Sequence, residues 1–231
     1  MTTLKLLSGG AAQGLMARLR ERFSEQTGCA VEGTFGAVGA MRENLLAGAS
    51  CDVLILTQAL IAQLTASGHV LPGSARDLGP VQTGLAIQAG APVPKVDTPD
   101  ALKAALLAAV GIYFPDPIKA TAGIHLMKVL QQLGIAAPLA PRLRTFPNGA
   151  AAMRAMADCP EPGLIGCTQV TEILYTPGVQ LVADLPQEFE LATVYTAAVC
   201  SGALEPEMAV RLVQLLSDGA SEAARRECGF G

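Results

Sequence analysis

The sequence predicts a two-lobed α/β protein, each lobe a mostly parallel sheet flanked by helices, with two strands crossing between the lobes. Three observations carry this reading. Short apolar runs alternate with helical patterns along the whole chain, which is the signature of parallel sheets built from right-handed crossovers. Aromatic residues are only 4% of a sequence that is 51% hydrophobic, and 24 glycines are interspersed, so the core is aliphatic and suited to close helix-on-sheet packing. The strand-like runs TGLAIQA (83–89) and LATVYTAAVC (191–200) are placed as the two crossings. A chain of 231 residues can bury one large core or two smaller ones. The expected lobes are residues 1–82 plus 197–231 and residues 83–196, with a single doubly wound sheet as the alternative.

The elements follow in order. LKLL (4–7) reads as a strand, and the next helix repeats Leu15, Met16, Leu19 and Phe23 on one face. CAVEGTF (29–35) is a second strand, AMRENLLAG (40–48) a helix ended by Gly48, and DVLIL (52–56) a buried strand. After the first crossing, DTPDALKAALLAA opens a helix with Thr98 as N-cap and Pro99 at the first helical position. VGIYF (110–114) and a helix from Thr121 to about Leu133 repeat the unit. RLRTF (142–146), a helix from Gly149 to about Met156, GLIG (163–166) and a helix beginning near Thr168 complete the second lobe. The last helix is EMAVRLVQLLSDGA (207–220), with Met208, Leu212 and Leu216 on its buried face.

Composition excludes several function classes. A net charge of −4 and a pI near 5.2 offer no basic surface for nucleic acid or anionic membrane. No apolar run approaches the roughly 20 residues that span a bilayer. The N-terminal MTTLKLLSGGAA lacks the apolar stretch of a signal peptide, so the chain as written is expected in the cytoplasm; a chain trimmed at a cleavage site would be periplasmic. Six cysteines show no CxxC spacing and lie beside apolar runs, which points to reduced thiols, and His69 and His125 stand apart from them, which argues against a zinc site. No cofactor is expected. GxSxG, HExxH, the P-loop and the GxGxxG fingerprint are all missing.

In parallel sheets, ligands bind beyond the carboxyl ends of strands, where helices begin and present unpaired N–H groups and partial positive charge. Five such junctions carry small or polar residues: SGGAAQ (8–13), FGAVGA (35–40), IKATAG (118–123), PNGAA (147–151) and GCTQ (166–169). Together they describe an anion cradle built largely of backbone, to which Ser8, Gly10, Gly39, Thr121, Asn148, Gly149 and Thr168 belong. Lys119, just ahead of a helix start, opposes the helix dipole unless an anion or an acidic neighbour such as Asp116 shares its site. His125 falls in the first turn of the same helix, where the dipole favours neutral imidazole. It is either a satisfied, partly buried histidine or a base or hydrogen-bond donor to the ligand.

Four segments bear a resemblance to a known family. AGASCDVLIL resembles its AGAPADxFxS, PDPIKATAGIH its GDPxxxPAGxY, LQQLGI its LxxLGx, and ECGFG its terminal xYGF. On these motifs, which run over nearly the whole chain, the protein is similar to the type 2 periplasmic-binding fold and most of all to the molybdate-binding proteins of ABC transporters. The resemblance implies two lobes that close over an oxyanion, and ligand positions at Ala11, Ala37, Val38 and Ala122. It also implies an ABC transporter permease as partner if the mature chain is exported. Where the family has serines this chain has Ala11, Ala37 and Val38, and where it has a tyrosine the chain has Gly166. Loss of hydroxyls implies a roomier pocket and a larger organic anion, such as a di- or tricarboxylate, bound in the cleft. The group also includes aconitate isomerase, which implies a proton shift on a bound polycarboxylate as an alternative function, with His125 or Lys119 as the base. A cytosolic sensor that couples closure to a partner is a third reading.

Overall fold

A computed structural model describes residues 2–231. In chain order its elements are β1 (Thr3–Gly9), α1 (Gln13–Thr27), β2 (Ala30–Gly36), α2 (Val38–Leu46), β3 (Val53–Thr57), α3 (Gln58–Ala66), β4 (Arg76–Gln88), α4 (Pro99–Ala108), β5 (Gly111–Pro115) and α5 (Thr121–Gln132). There follow α6 (Ala136–Leu139), β6 (Leu143–Phe146), α7 (Gly149–Ala157), β7 (Leu164–Gln169), α8 (Val170–Tyr175), β8 (Val179–Asp184), β9 (Ala192–Val199), α9 (Pro206–Ser217) and α10 (Glu222–Glu227). The architecture is α/β, and the chain divides into two compact units, Met1–Val81 with Thr193–Gly231, and Gln82–Ala192.

In the first unit β1 pairs in parallel with both β2 and β3, and β9 returns antiparallel to β3, from Val53 opposite Val199 to Thr57 opposite Tyr195. The apolar stripe of α1 packs onto this sheet: Leu15, Met16, Leu19 and Phe23 join Leu4, Leu6, Val53, Ile55 and the Leu212 and Leu216 face of α9 in one core. Asp52 closes the corner ahead of β3. It is 2% exposed, and its carboxylate accepts from the amides of Lys5 (2.7 Å), Leu204 (2.7 Å) and Glu205 (3.3 Å). Buried thus, it ties the N-terminal segment of the unit to the segment that follows β9.

In the second unit β5 lies between β6 and β7 with parallel registers, and β4 runs antiparallel to β7 and β8. Both faces of the sheet are covered. On one, Leu102 and Leu106 of α4 and Leu126, Val129 and Leu130 of α5 meet Ile112, Phe114, Ile165 and Cys167. On the other, Ala152, Met153 and Met156 of α7 meet Tyr113 and Leu164. Thr98 caps α4 by accepting from the Ala101 amide at 3.2 Å, as the TPD sequence predicts.

Several elements lie outside the sequence expectation. The helix α3, the strand β8 and the short helices α6 and α10 are not among the elements expected from the sequence, although Leu60, Ile61 and Leu64 of α3 recur at helical spacing and Thr57 caps it. The strand β4 begins at Arg76, ahead of Pro80, although proline normally interrupts a ladder. It is accommodated because the Pro80 carbonyl accepts from the Gly231 amide at 2.8 Å and the ring requires no donor partner.

Candidate anion-binding site

The five strand-to-helix junctions fall into two groups. Four of their helix starts have no side-chain cap from the N-cap residue among the described residues: the Gly10–Ala12 turn that leads into α1, the start of α2 after Ala37, the start of α5 after Ala120, and the start of α8 after Gln169, where Glu172 takes the Gln169 amide. Ser8 is buried at the end of β1 and spends its hydroxyl on the Gly9 carbonyl (2.8 Å). A side chain at Gly9 would stand 2.9 Å from Val38 Cγ1, so β1 and the first turn of α2 meet closely there. Gly10, Ala11, Ala37, Val38 and Gly39 thus offer backbone and small apolar groups, with no hydroxyl aimed outward from the set.

The start of α5 is shaped by Asp116. Its Oδ1 accepts from the amides of Ile118 (2.7 Å) and Lys119 (2.9 Å), which folds PDPIK into a turn and leaves Ala120 extended ahead of the helix. Gly123 seats the first turn against the end of β5. A Cβ there would lie 2.3 Å from the Pro115 carbonyl oxygen and 2.4 Å from that of Asp116. Thr121 is half-buried, Ala122 buried and Lys119 exposed. His125 is half-buried, with Nε2 at 2.7 Å from the Phe189 carbonyl oxygen. A carbonyl only accepts, so Nε2 carries hydrogen, and a neutral ring takes up a further proton at Nδ1.

The other two junctions converge on a residue that the sequence reading missed. Glu172 in α8 is 5% exposed, and its carboxylate accepts from Thr168 Oγ1 (2.6 Å), from the Ala150 amide (3.3 Å) and from the amides of Gly149 and Gln169. Asn148 Oδ1 accepts from the Ala151 amide at 2.8 Å, so the first turn of α7 is capped throughout by the chain itself. Gly149 is required by this contact, because a Cβ would stand 1.9 Å from Thr168 Oγ1 and 2.1 Å from Glu172 Oε2. Burial pushes the Glu172 carboxyl above the ordinary carboxylate range, and the four donors pull in the opposite direction. The structure therefore brings Asn148, Gly149 and Thr168 together around the buried Glu172 carboxyl. The signal available in the sequence was QVTE (169–172), in which an acidic residue three positions after the N-cap reaches back to the cap amide.

Metal chemistry has no cluster to build on: among the described residues no group of three or more His, Cys, Asp or Glu side chains is placed to hold an ion. A family model for bacterial extracellular solute-binding proteins matches residues 4–231. The chain belongs to this family. Over 239 residues it is 26% identical to an aconitate isomerase from a Pseudomonas species, an alignment covering 100% of this chain and 88% of that one. The Azotobacter vinelandii periplasmic molybdate-binding protein superposes with a TM-score of 0.78 at 20% identity, over 99% of this chain and 98% of its own. The sulfate-binding protein SubI from Mycobacterium tuberculosis H37Rv also reaches 0.78, at 16% identity, over 100% of this chain and 86% of its own. The fold is that of the periplasmic binding proteins, as the sequence motifs imply.

Proposed function

We propose that the protein binds a small organic anion with two or three carboxylates, using uncapped helix starts as its anion-holding elements. The observation that carries this reading is that each unit has uncapped helix starts beside small apolar residues, α1 and α2 with Ala11, Ala37 and Val38 in the first unit and α5 with Ala122 in the second. A helix start attracts an anion through its amides, and a side-chain hydroxyl adjusts the fit to a compact oxyanion. With hydroxyls replaced by methyl groups, a larger organic anion is favoured over molybdate or sulfate.

The experiment is a thermal-shift screen with molybdate, tungstate, sulfate, phosphate, citrate, cis- and trans-aconitate, malonate and tricarballylate. At a hundredfold excess over its dissociation constant a ligand adds about 2.7 kcal/mol of stability. Stabilisation by carboxylates and not by tetrahedral oxyanions is the expected result; stabilisation by molybdate alone overturns the reading.

The full-length likeness to an aconitate isomerase favours a second reading, a proton shift on the bound polycarboxylate. A base removes a proton from the methylene carbon beside the double bond, the charge spreads over the allylic system and an adjacent carboxylate, and the proton returns at the far end. His125 suits the task, because its Nε2–H is anchored on Phe189 and its proton-accepting atom is Nδ1. Nuclear magnetic resonance of cis-aconitate incubated with the protein tests this reading. Conversion to the trans isomer that falls at least about a hundredfold in His125→Ala, with binding retained, is the expected result. Binding without conversion leaves the first reading standing alone.

A further inference from the structure

Two buried polar side chains of the second unit take no part in the interactions described above. Thr83 is 1% exposed and Gln169 2% exposed. Among the described residues, Thr83 Oγ1 and both Oε1 and Nε2 of Gln169 have no hydrogen-bond partner. The two residues are opposite one another in the antiparallel register of β4 and β7. Buried amides and hydroxyls left unpaired cost stability, so a chain that retains two side by side has a use for them or a molecule that fills them.

Strand alternation fixes the direction in which they face. Along β7, Ile165 and Cys167 pack into the core formed with α5, while Thr168 turns to the opposite face and meets Glu172. Gln169, two residues beyond Cys167, is on the α5 face. Leu85 of β4 belongs to that same core, and Thr83, two residues before it, shares its side. The pair is thus a polar layer above the apolar core, at the carboxyl end of β7, on the side of the sheet where the uncapped first turn of α5 rests on Pro115 and Asp116.

The chemistry of this layer differs from that of a helix start. Helix amides only donate, and a bare carboxylate, sulfate or molybdate only accepts. Such a group would satisfy Gln169 Nε2 and leave Gln169 Oε1 without a donor. A hydroxyl both donates and accepts. We propose that Gln169 and Thr83 recognise a hydroxyl group carried by the bound organic anion, so that the ligand is a hydroxycarboxylate. Its hydroxyl donates to Gln169 Oε1 and accepts from Thr83 Oγ1 or Gln169 Nε2, and the neighbouring carboxylate takes the amides of Thr121 and Ala122. This assignment rests on the carboxylate-binding reading and selects hydroxylated ligands over aconitate.

Isothermal titration with two matched pairs, citrate against tricarballylate and malate against succinate, tests it, since the members of each pair differ by one hydroxyl. The expected result is binding at least tenfold tighter for the hydroxylated member, because a site built to pair a hydroxyl rejects the analogue that lacks it. Gln169→Leu and Thr83→Val should each bring the ratio close to one. Gln169→Met, of similar length, serves as the second variant, and melting temperatures no lower than that of the unsubstituted protein show that the variants are folded. Equal binding of both members of each pair, or a preference that survives both substitutions, overturns the hydroxyl assignment alone. Failure of all four acids to bind overturns the carboxylate reading and this assignment with it.

Discussion

Glu172→Ala is the substitution whose consequences are most completely dictated by the structure. Removing the carboxylate leaves Thr168 Oγ1 and the amides of Gly149, Ala150 and Gln169 without their acceptor at a site that is 5% exposed. An unsatisfied buried donor costs about 1–3 kcal/mol. Water entering the vacated volume restores part of the loss, so about 3–5 kcal/mol is expected from the four donors together. At roughly 2–4 °C per kcal/mol for a chain of this size, the melting temperature should drop by about 10 °C. Scanning calorimetry provides the measurement, with Glu222→Ala as the control, since Glu222 pairs with Arg226 on an exposed helix. Acetate or formate should restore more stability to Glu172→Ala than to the unsubstituted protein, because a small carboxylate can enter the uncapped turn of α7. A change below about 1 kcal/mol, within the range of ordinary surface substitutions and weak ion pairs, would refute the reasoning.

Further predictions rest on other contacts. The pKa of Glu172 is raised in the folded chain, so the stability contributed by its carboxyl is fully present below the ordinary glutamate value of about 4.3 and is lost as pH rises through the folded value. Urea unfolding across that range should show the advantage of the unsubstituted chain over Glu172→Gln shrinking as pH rises; growth with pH contradicts the assigned direction. Asp52→Ala should destabilise the first unit by about 2–4 kcal/mol, since three amides lose their acceptor. The urea midpoint reports it. Gly123→Ala should cost about 2–3 kcal/mol despite the better helix propensity of alanine, because its Cβ meets two backbone oxygens that cannot yield. Gly219→Ala, whose Cβ meets nothing within 4 Å, should be nearly neutral. Equal effects of the two glycine substitutions would show that the close approach of α5 to β5 is unimportant.

The periodic elements were legible because their signals are local. Leu15, Met16, Leu19 and Phe23 recur at helical spacing and are the buried residues of α1, and Thr98 followed by Pro99 marks a helix start through the bonds of a single turn. Strand runs such as DVLIL announce themselves because both of their faces are buried. The weakly patterned β8 was lost because its place depends on β4, which is distant in sequence, whereas α3, capped by Thr57 and packed on the preceding β3, carried a local signal that the reading missed. The junctions of the candidate site were also visible as small residues at strand ends, together with the motifs that resemble the solute-binding family.

Which junctions are uncapped was not visible. Asn148, Gly149 and Thr168 look in sequence like an open helix start, and only tertiary packing carries the carboxylate of Glu172 across to fill it. Gln169 and Thr83 are 86 positions apart and become neighbours only through the antiparallel pairing of β4 with β7. The sequence by itself determined the α/β architecture, the family and the small-residue junctions, because periodicity, caps and motifs are properties of contiguous residues. Tertiary structure alone decided which of those junctions is satisfied from within and which polar side chains are buried without a partner, because desolvation and hydrogen-bond pairing depend on what surrounds a group in space.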